Sequence, residues 1–197
     1  REEGVNKYEY FLSKKFKKLS EDSDTIYLNE DELEKIYKKD FSGKKHFERV
    51  RDLFLIACWT GNRFGDLSQV KPENITDKLI EVKQHKENKK VLIPLHPIVK
   101  SIISKYHGDL PKPISNQKFN IAIKEIAKLS KINSKFNKTI TKGGKTVTTV
   151  YEKHELVGSH TARRSFATNL YKSGFPALSI MAITGHKTEK SFLKYIR

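Results

Sequence analysis

Residues Ser159–Arg197 read SHTARRSFATNLYKSGFPALSIMAITGHKTEKSFLKYIR. They place His160 and Arg163 three apart, His186 directly after Gly185, and Tyr195 nine residues beyond that, two from the end of the sequence. On a helix, positions i and i+3 share a face, so His160 and Arg163 are expected to point into one site. Arg164 is turned away by about 100°, which gives the two adjacent arginines different jobs and lets only Arg163 join His160. Gly174 ends this helix, PALSIMAIT is a short apolar helix closed by Gly185, and Thr188 caps a last helix that carries Tyr195.

Upstream, the same signals recur. In LNEDELEKI, Asn29 is an N-cap with Glu32 three residues on, a capping box, and Leu28 and Leu33 can staple the first turn. From about Lys45 to Thr60, Phe47, Val50, Phe54 and Ala57 recur at spacings of 3 and 4 and are followed by a capping glycine, Gly61. Arg63 therefore emerges from the end of a buried, rigid element, a good mount for a functional group. LIEVKQ and KVLIPL flank the polar HKENK and predict a β-hairpin with Lys86 at its tip or on its second turn. Pro97 opens one helix, Asn116 caps another, and TITKGGKTVTTVYE predicts a second hairpin turning at Gly143 and Gly144. The lysines beside that turn, Lys142 and Lys145, make it a candidate DNA-facing flap.

In this order and spacing the sequence resembles the tyrosine recombinases, or phage-type integrases. The residues that carry the resemblance are Arg63 in TGNRFGDL, Lys86 in QHKENKKVLIPL, His160 and Arg163 in HTARRSF, His186 in TGHKT and Tyr195 in FLKYI. The wording around them looks most like integrases of conjugative transposons, and the resemblance runs from about Tyr27 to Arg197. It implies a mostly helical α+β catalytic domain with a small antiparallel sheet and hairpins, the DNA breaking-rejoining fold, over residues 25–197. Residues 1–24 read as a linker or arm from a missing N-terminal core-binding domain. It also implies paired protomers on double-stranded DNA, a synaptic tetramer, a Holliday-junction intermediate and integration or excision of a mobile element. Glu87 and Asn88 stand where the family pattern has Thr and Gly after the hairpin lysine, so Lys83 competes with Lys86 for that role.

Composition agrees with a DNA partner. The 197 residues carry 39 Lys and Arg against 23 Asp and Glu, a formal charge of +16 that implies a polyanion. No run approaches the roughly 18 apolar residues of a membrane span, and no secretory signal opens the sequence. The single cysteine, Cys58, sits in the apolar run LFLIACWT as a buried hydrophobe. No C-x-x-C or H-x-x-x-H pair is present, which argues against a zinc site. A reducing, cytoplasmic setting at the nucleoid is expected, with no cofactor.

The residue types suit phosphoryl transfer. Negative charge builds on the non-bridging oxygens as a nucleophile reaches phosphorus, and two planar guanidinium forks, Arg63 and Arg163, suit those oxygens. His186 adds a further donor. A phenol with a pKa near ~10 needs a proton acceptor, for which His160 is placed, and the departing 5′-oxygen needs a proton, for which Lys86 is placed. Asp66 matches an acidic position that orients Arg63, Trp59 reads as core packing, and Arg164 reads as a structural or DNA-backbone contact. Taken singly, Arg63 is a capping arginine, Lys86 a surface charge, His186 a loop histidine and Tyr195 a core aromatic; their joint order carries the catalytic reading. Two alternatives share these residues: a type IB topoisomerase, and a non-catalytic DNA-binding module of the same fold.

Overall fold

Asn29 sets where the first helix begins. Its side chain accepts from the Glu32 amide at 2.9 Å while Glu32 accepts from the Asn29 amide at 2.9 Å, so both ends of the capping box are made. Helix α1 runs over Glu30–Lys38, with Leu33 and Ile36 turned inward. The computed structural model describes residues 25–85, 89–142 and 145–196. The proposed arm (1–24), the candidate Lys86 and the glycine turn of the second hairpin lie outside the described residues, as do the side chains of Lys142 and Lys145.

Helix α2 (Lys45–Thr60) is the axis of the core. Every residue from Asp52 to Cys58 is buried, and a helix that is apolar on all sides must be surrounded. Around it lie α1, α4 (Pro97–Lys105), α5 (Asn116–Leu129) and α6 (Ser159–Lys172). The one charge in that stretch, Asp52, is fully matched: Arg51 Nε donates to it at 2.9 Å, Lys105 Nζ at 2.7 Å and the Tyr106 hydroxyl at 3.1 Å. Without such partners a buried carboxylate would be strongly destabilising. Cys58 is buried, as its sequence neighbours require.

Between α2 and α4 come a one-turn helix α3 (Phe64–Leu67), a 3-10 turn at Pro72–Asn74, and the antiparallel hairpin β1 (Leu79–Gln84) with β2 (Lys89–Pro94). Its register pairs Val82 with Val91 and Ile80 with Ile93, and the period-2 alternation sends these four to the core. The second hairpin, β3 (Lys135–Lys142) with β4 (Lys145–Glu152), starts four residues earlier than TITKGG indicates. Among the described residues its two strands pair only with each other, and a 3-10 turn at Lys153–Leu156 leads from it into α6. Helices α7 (Ala177–Thr184) and α8 (Glu189–Tyr195) close the chain, capped by Gly185 at φ 64° and by Thr188 as expected. The cap of α5 is a correction: Ser115, not Asn116, accepts from the Lys118 amide, and Asn116 is the first helical residue. Two adjacent residues with capping side chains compete here, and the extended backbone falls on the serine.

One crossing fixes α6 to α2. Gly61 closes α2 at φ 67°, and a Cβ built there would lie 2.4 Å from the Phe166 ring of α6. Its carbonyl accepts from Arg163 Nη1 at 2.7 Å. The chain ahead of α1 is tied to α6 as well: the Leu28 amide donates to Ser165 Oγ at 2.8 Å and its carbonyl accepts from Asn169 Nδ2 at 3.0 Å. Gly61→Ala should therefore destabilise the fold by about 2–5 kcal/mol, the sum of a left-handed backbone cost and an overpacked ring contact. Urea unfolding checks this as a lower midpoint at unchanged slope; a loss below ~1 kcal/mol would show that Phe166 moves aside freely.

Candidate functional site

Arg63 leaves α2 one residue past Asn62 and caps α3 with extended backbone. The short helix returns Asp66 beneath it, and the two form an ion pair at 3.6 Å with Asp66 almost wholly buried. Asp66 also accepts from the His85 amide at 3.2 Å, so one carboxylate serves both Arg63 and the end of β1. Beside it, Gln84 Nε2 donates to the Ile183 carbonyl at 2.5 Å and ties the same strand to α7. The hairpin that bears the candidate lysine is thus anchored at its turn end, through Gln84 and His85, to the two segments that carry Arg63 and His186.

The first turn of α6 supplies His160 and Arg163, one face apart by i+3 as the sequence indicates. Arg163 is 5% exposed, while His160 is open to solvent. Together with Arg63 they line one cleft of about 250 Å³, whose other walls are Phe64, Gly65, Asn116 and Ser159. A roomier hollow of about 730 Å³ lies along α5 near Phe47 and Tyr151 and holds none of the candidate residues. Size is therefore not what marks the site; convergent cationic side chains are.

Tyr195 completes it from the other side. Helix α8 is anchored by Phe192, which is fully buried in a small cluster with Phe166, Ile180 and Met181. This brings the Tyr195 hydroxyl to a buried position beside the Arg163 guanidinium, whose hydrogen bond to it falls short of ideal geometry. Burial pushes its pKa above the usual tyrosine value, and Arg163, Arg164 and Arg63 pull the other way, in that order. His186 stands next to it, with ring centroids 4.8 Å apart. The Thr184 hydroxyl donates to the Ile180 carbonyl at 2.7 Å, so its only proton is spent. His186 Nδ1, 2.8 Å from that oxygen, must then be the donor, and a neutral His186 keeps Nε2 as an acceptor.

The raised folded-state pKa of Tyr195 favours the protonated, docked phenol at every pH below the ordinary tyrosine value near ~10, and that preference is lost as pH rises through the raised value. Absorbance titration of wild type minus Tyr195→Phe should show one phenol ionising above the ordinary range. A difference curve centred below pH ~10 would mean that the arginines outweigh burial.

The structure brings Arg63, His160, Arg163, His186 and Tyr195 into one neighbourhood. Lys86 lies outside the described residues; Lys83 is exposed on β1, opposite Lys90. Sequence reasoning gave no place in the site to Asn116, Ser159 or Gln84, whose polar side chains have no period or motif to mark them. Arg164, read as a structural or DNA-backbone contact, makes a structural one whose partner the sequence did not indicate: its Nη1 donates to the Tyr195 carbonyl at 2.6 Å, and its guanidinium carbon lies 4.2 Å from the centre of the Tyr195 ring. A groove of about 360 Å³ continues from the cleft past His160 and Arg164 to Lys124 and Lys138. Among the described residues no cluster of His, Cys, Asp and Glu could hold a metal ion, and no helix is long and apolar enough to cross a membrane.

Comparison with known proteins gives a consistent result. The model of the family described as "Phage integrase family" matches residues 27–197. The tyrosine recombinase XerC of Rickettsia typhi is 32% identical over 110 residues, which cover 56% of this chain and 34% of that protein. The crystal structure of XerA recombinase superposes with a TM-score of 0.62 at 18% identity, over 86% of this chain and 59% of that one. A lambda integrase dimer bound to a COC′ core site gives 0.59 at 22% identity, over 86% and 58%. The chain thus spans about a third of the curated relative and under two thirds of these solved structures.

Proposed function

This chain belongs to the phage integrase family, and from that premise we propose that it is the catalytic part of a tyrosine-type site-specific recombinase, which cuts and rejoins double-stranded DNA through Tyr195. The observation that carries this reading is the buried phenol oxygen of Tyr195 in the combined field of Arg163, Arg164 and Arg63. A tyrosine serving only to fill a core would not call for three guanidinium groups around it, since burying even Arg163 costs free energy that packing alone does not return.

In the proposed reaction, the cleft of Arg63, His160 and Arg163 receives one phosphodiester. The two guanidinium groups bind its non-bridging oxygens, and His186, protonated on both nitrogens, adds a donor. The Tyr195 oxygen attacks phosphorus in line, its proton passing to His160. The bond from phosphorus to the 5′-oxygen breaks, and that oxygen leaves with the electron pair and takes a proton, the role assigned to Lys86. A 3′-phosphotyrosine remains. Attack on it by the 5′-hydroxyl of another strand reverses the sequence, so neither ATP nor a metal is required. Duplex DNA enters along the groove that runs to Lys124 and Lys138. By analogy with the lambda integrase dimer on its core site, two copies occupy one site and four assemble for exchange. Integration or excision of a mobile element is the proposed use, supported by the likeness of the sequence around the site to integrases of such elements.

The test is a nicked duplex drawn from the ends of the DNA element that encodes the chain, designed so that the short 5′-hydroxyl fragment diffuses away after cleavage. An SDS-resistant protein–DNA adduct should accumulate without metal or nucleotide, and peptide mass mapping should place the DNA on Tyr195. Cleaved DNA with no adduct, or an adduct on another residue, would overturn the reading.

A further inference from the structure

We propose that Arg164 is a positioning residue for the nucleophile: by holding the Tyr195 carbonyl and lying against the Tyr195 ring, it keeps the phenol inside the arginine cleft of its own chain. The assignment rests on the function proposed above. Helix α8 has only seven residues, too few to be stable without tertiary support, and Phe192 is its one buried side chain. The Tyr195 carbonyl at its end has no intrahelical partner of its own, since the last four carbonyls of any helix lack one. Arg164 fills that gap with a charge-assisted bond of 2.6 Å.

The same guanidinium stacks on the ring, 4.2 Å from its centre. One rigid plane therefore sets both the backbone at the end of α8 and the direction of the side chain. The charged groups facing the phenol are Arg163 and Arg164 from α6 and Arg63 from the cap of α3, and the titratable His186 joins them from the turn before α8. Arg164 differs from the others in gripping the nucleophile's own backbone. Lysine cannot replace it, because an ammonium has neither the planar face nor the fork.

Two variants and three readouts decide the matter. In Arg164→Ala, hydrogen exchange at the α8 amides should speed up by about tenfold or more, with the core helices α2 and α5 unchanged. Adduct formation on saturating nicked duplex should fall by roughly a hundredfold, the scale of a misplaced reacting group. Arg164→Lys keeps the positive charge, so the pH at which adduct formation reaches half its maximum should stay at the wild-type value, while α8 exchange and the adduct rate still change. In Arg164→Ala that pH should move upward as well. Unchanged α8 exchange in both variants would overturn the assignment. So would a loss confined to DNA affinity, with the rate at saturation intact, which would make Arg164 a phosphate contact. If wild type itself forms no adduct, the functional reading fails, and α8 exchange still judges Arg164.

Discussion

Tyr195→Phe is expected to abolish covalent adduct formation completely while leaving the fold as stable as before, or more stable by up to about 1 kcal/mol. The substitution removes one oxygen and keeps the ring. The contact with Arg164 lies on the ring face and at the backbone carbonyl, so both survive. The anchor at Phe192 is untouched. The lost hydroxyl is a buried polar group whose side-chain contact is with the Arg163 guanidinium, so the desolvation penalty removed offsets the interaction given up. A residue maintained for packing would show the opposite pattern, in which stability falls and chemistry persists. Urea unfolding and the nicked-duplex assay on the same preparation separate the two. Residual adduct above a few per cent, or a drop of more than ~1 kcal/mol in stability, contradicts the role assigned to this oxygen.

Arg163 should give the second largest effect, and it should divide between stability and chemistry. Its guanidinium is buried, donates to the Gly61 carbonyl at 2.7 Å and acts on the Tyr195 phenol, so it joins the end of α2 to the nucleophile. Arg163→Ala is expected to slow adduct formation by about a thousandfold, the upper scale for losing a preorganised donor to an oxyanion. It should also cost about 1–3 kcal/mol of stability, because the Gly61 carbonyl loses its donor. Arg163→Lys restores a charge without the paired geometry and should recover no more than a tenth of the wild-type rate. Rates within tenfold of wild type for the alanine variant would remove Arg163 from the chemistry and leave it only its structural bond.

Much of this arrangement was legible beforehand because it is local. The Asn29–Glu32 box, the limits of α2, the caps at Gly61, Gly185 and Thr188, and the shared face of His160 and Arg163 all follow from spacings of a few residues, where helix geometry is rigid. What stayed hidden is what depends on how distant segments meet. The 100° step was right about the direction of Arg164 on its own helix, but α8 packs against the flank it points to, and nothing within HTARR foretells that. Gln84 reads as an ordinary strand residue until α7 arrives with the Ile183 carbonyl. At Ser115 and Asn116 the difficulty was of another kind, since both side chains suit a cap and only the backbone chooses between them.

The two bonds that fasten Leu28 to α6 give the segment before α1 a mechanical meaning. Because Ser165 grips its amide and Asn169 its carbonyl, residues 25–28 cannot slide along α6 without breaking both. A pull on the polypeptide at Thr25 is then felt at the helix that bears His160 and Arg163, like a tether tied to the jaw of a clamp and not to its handle.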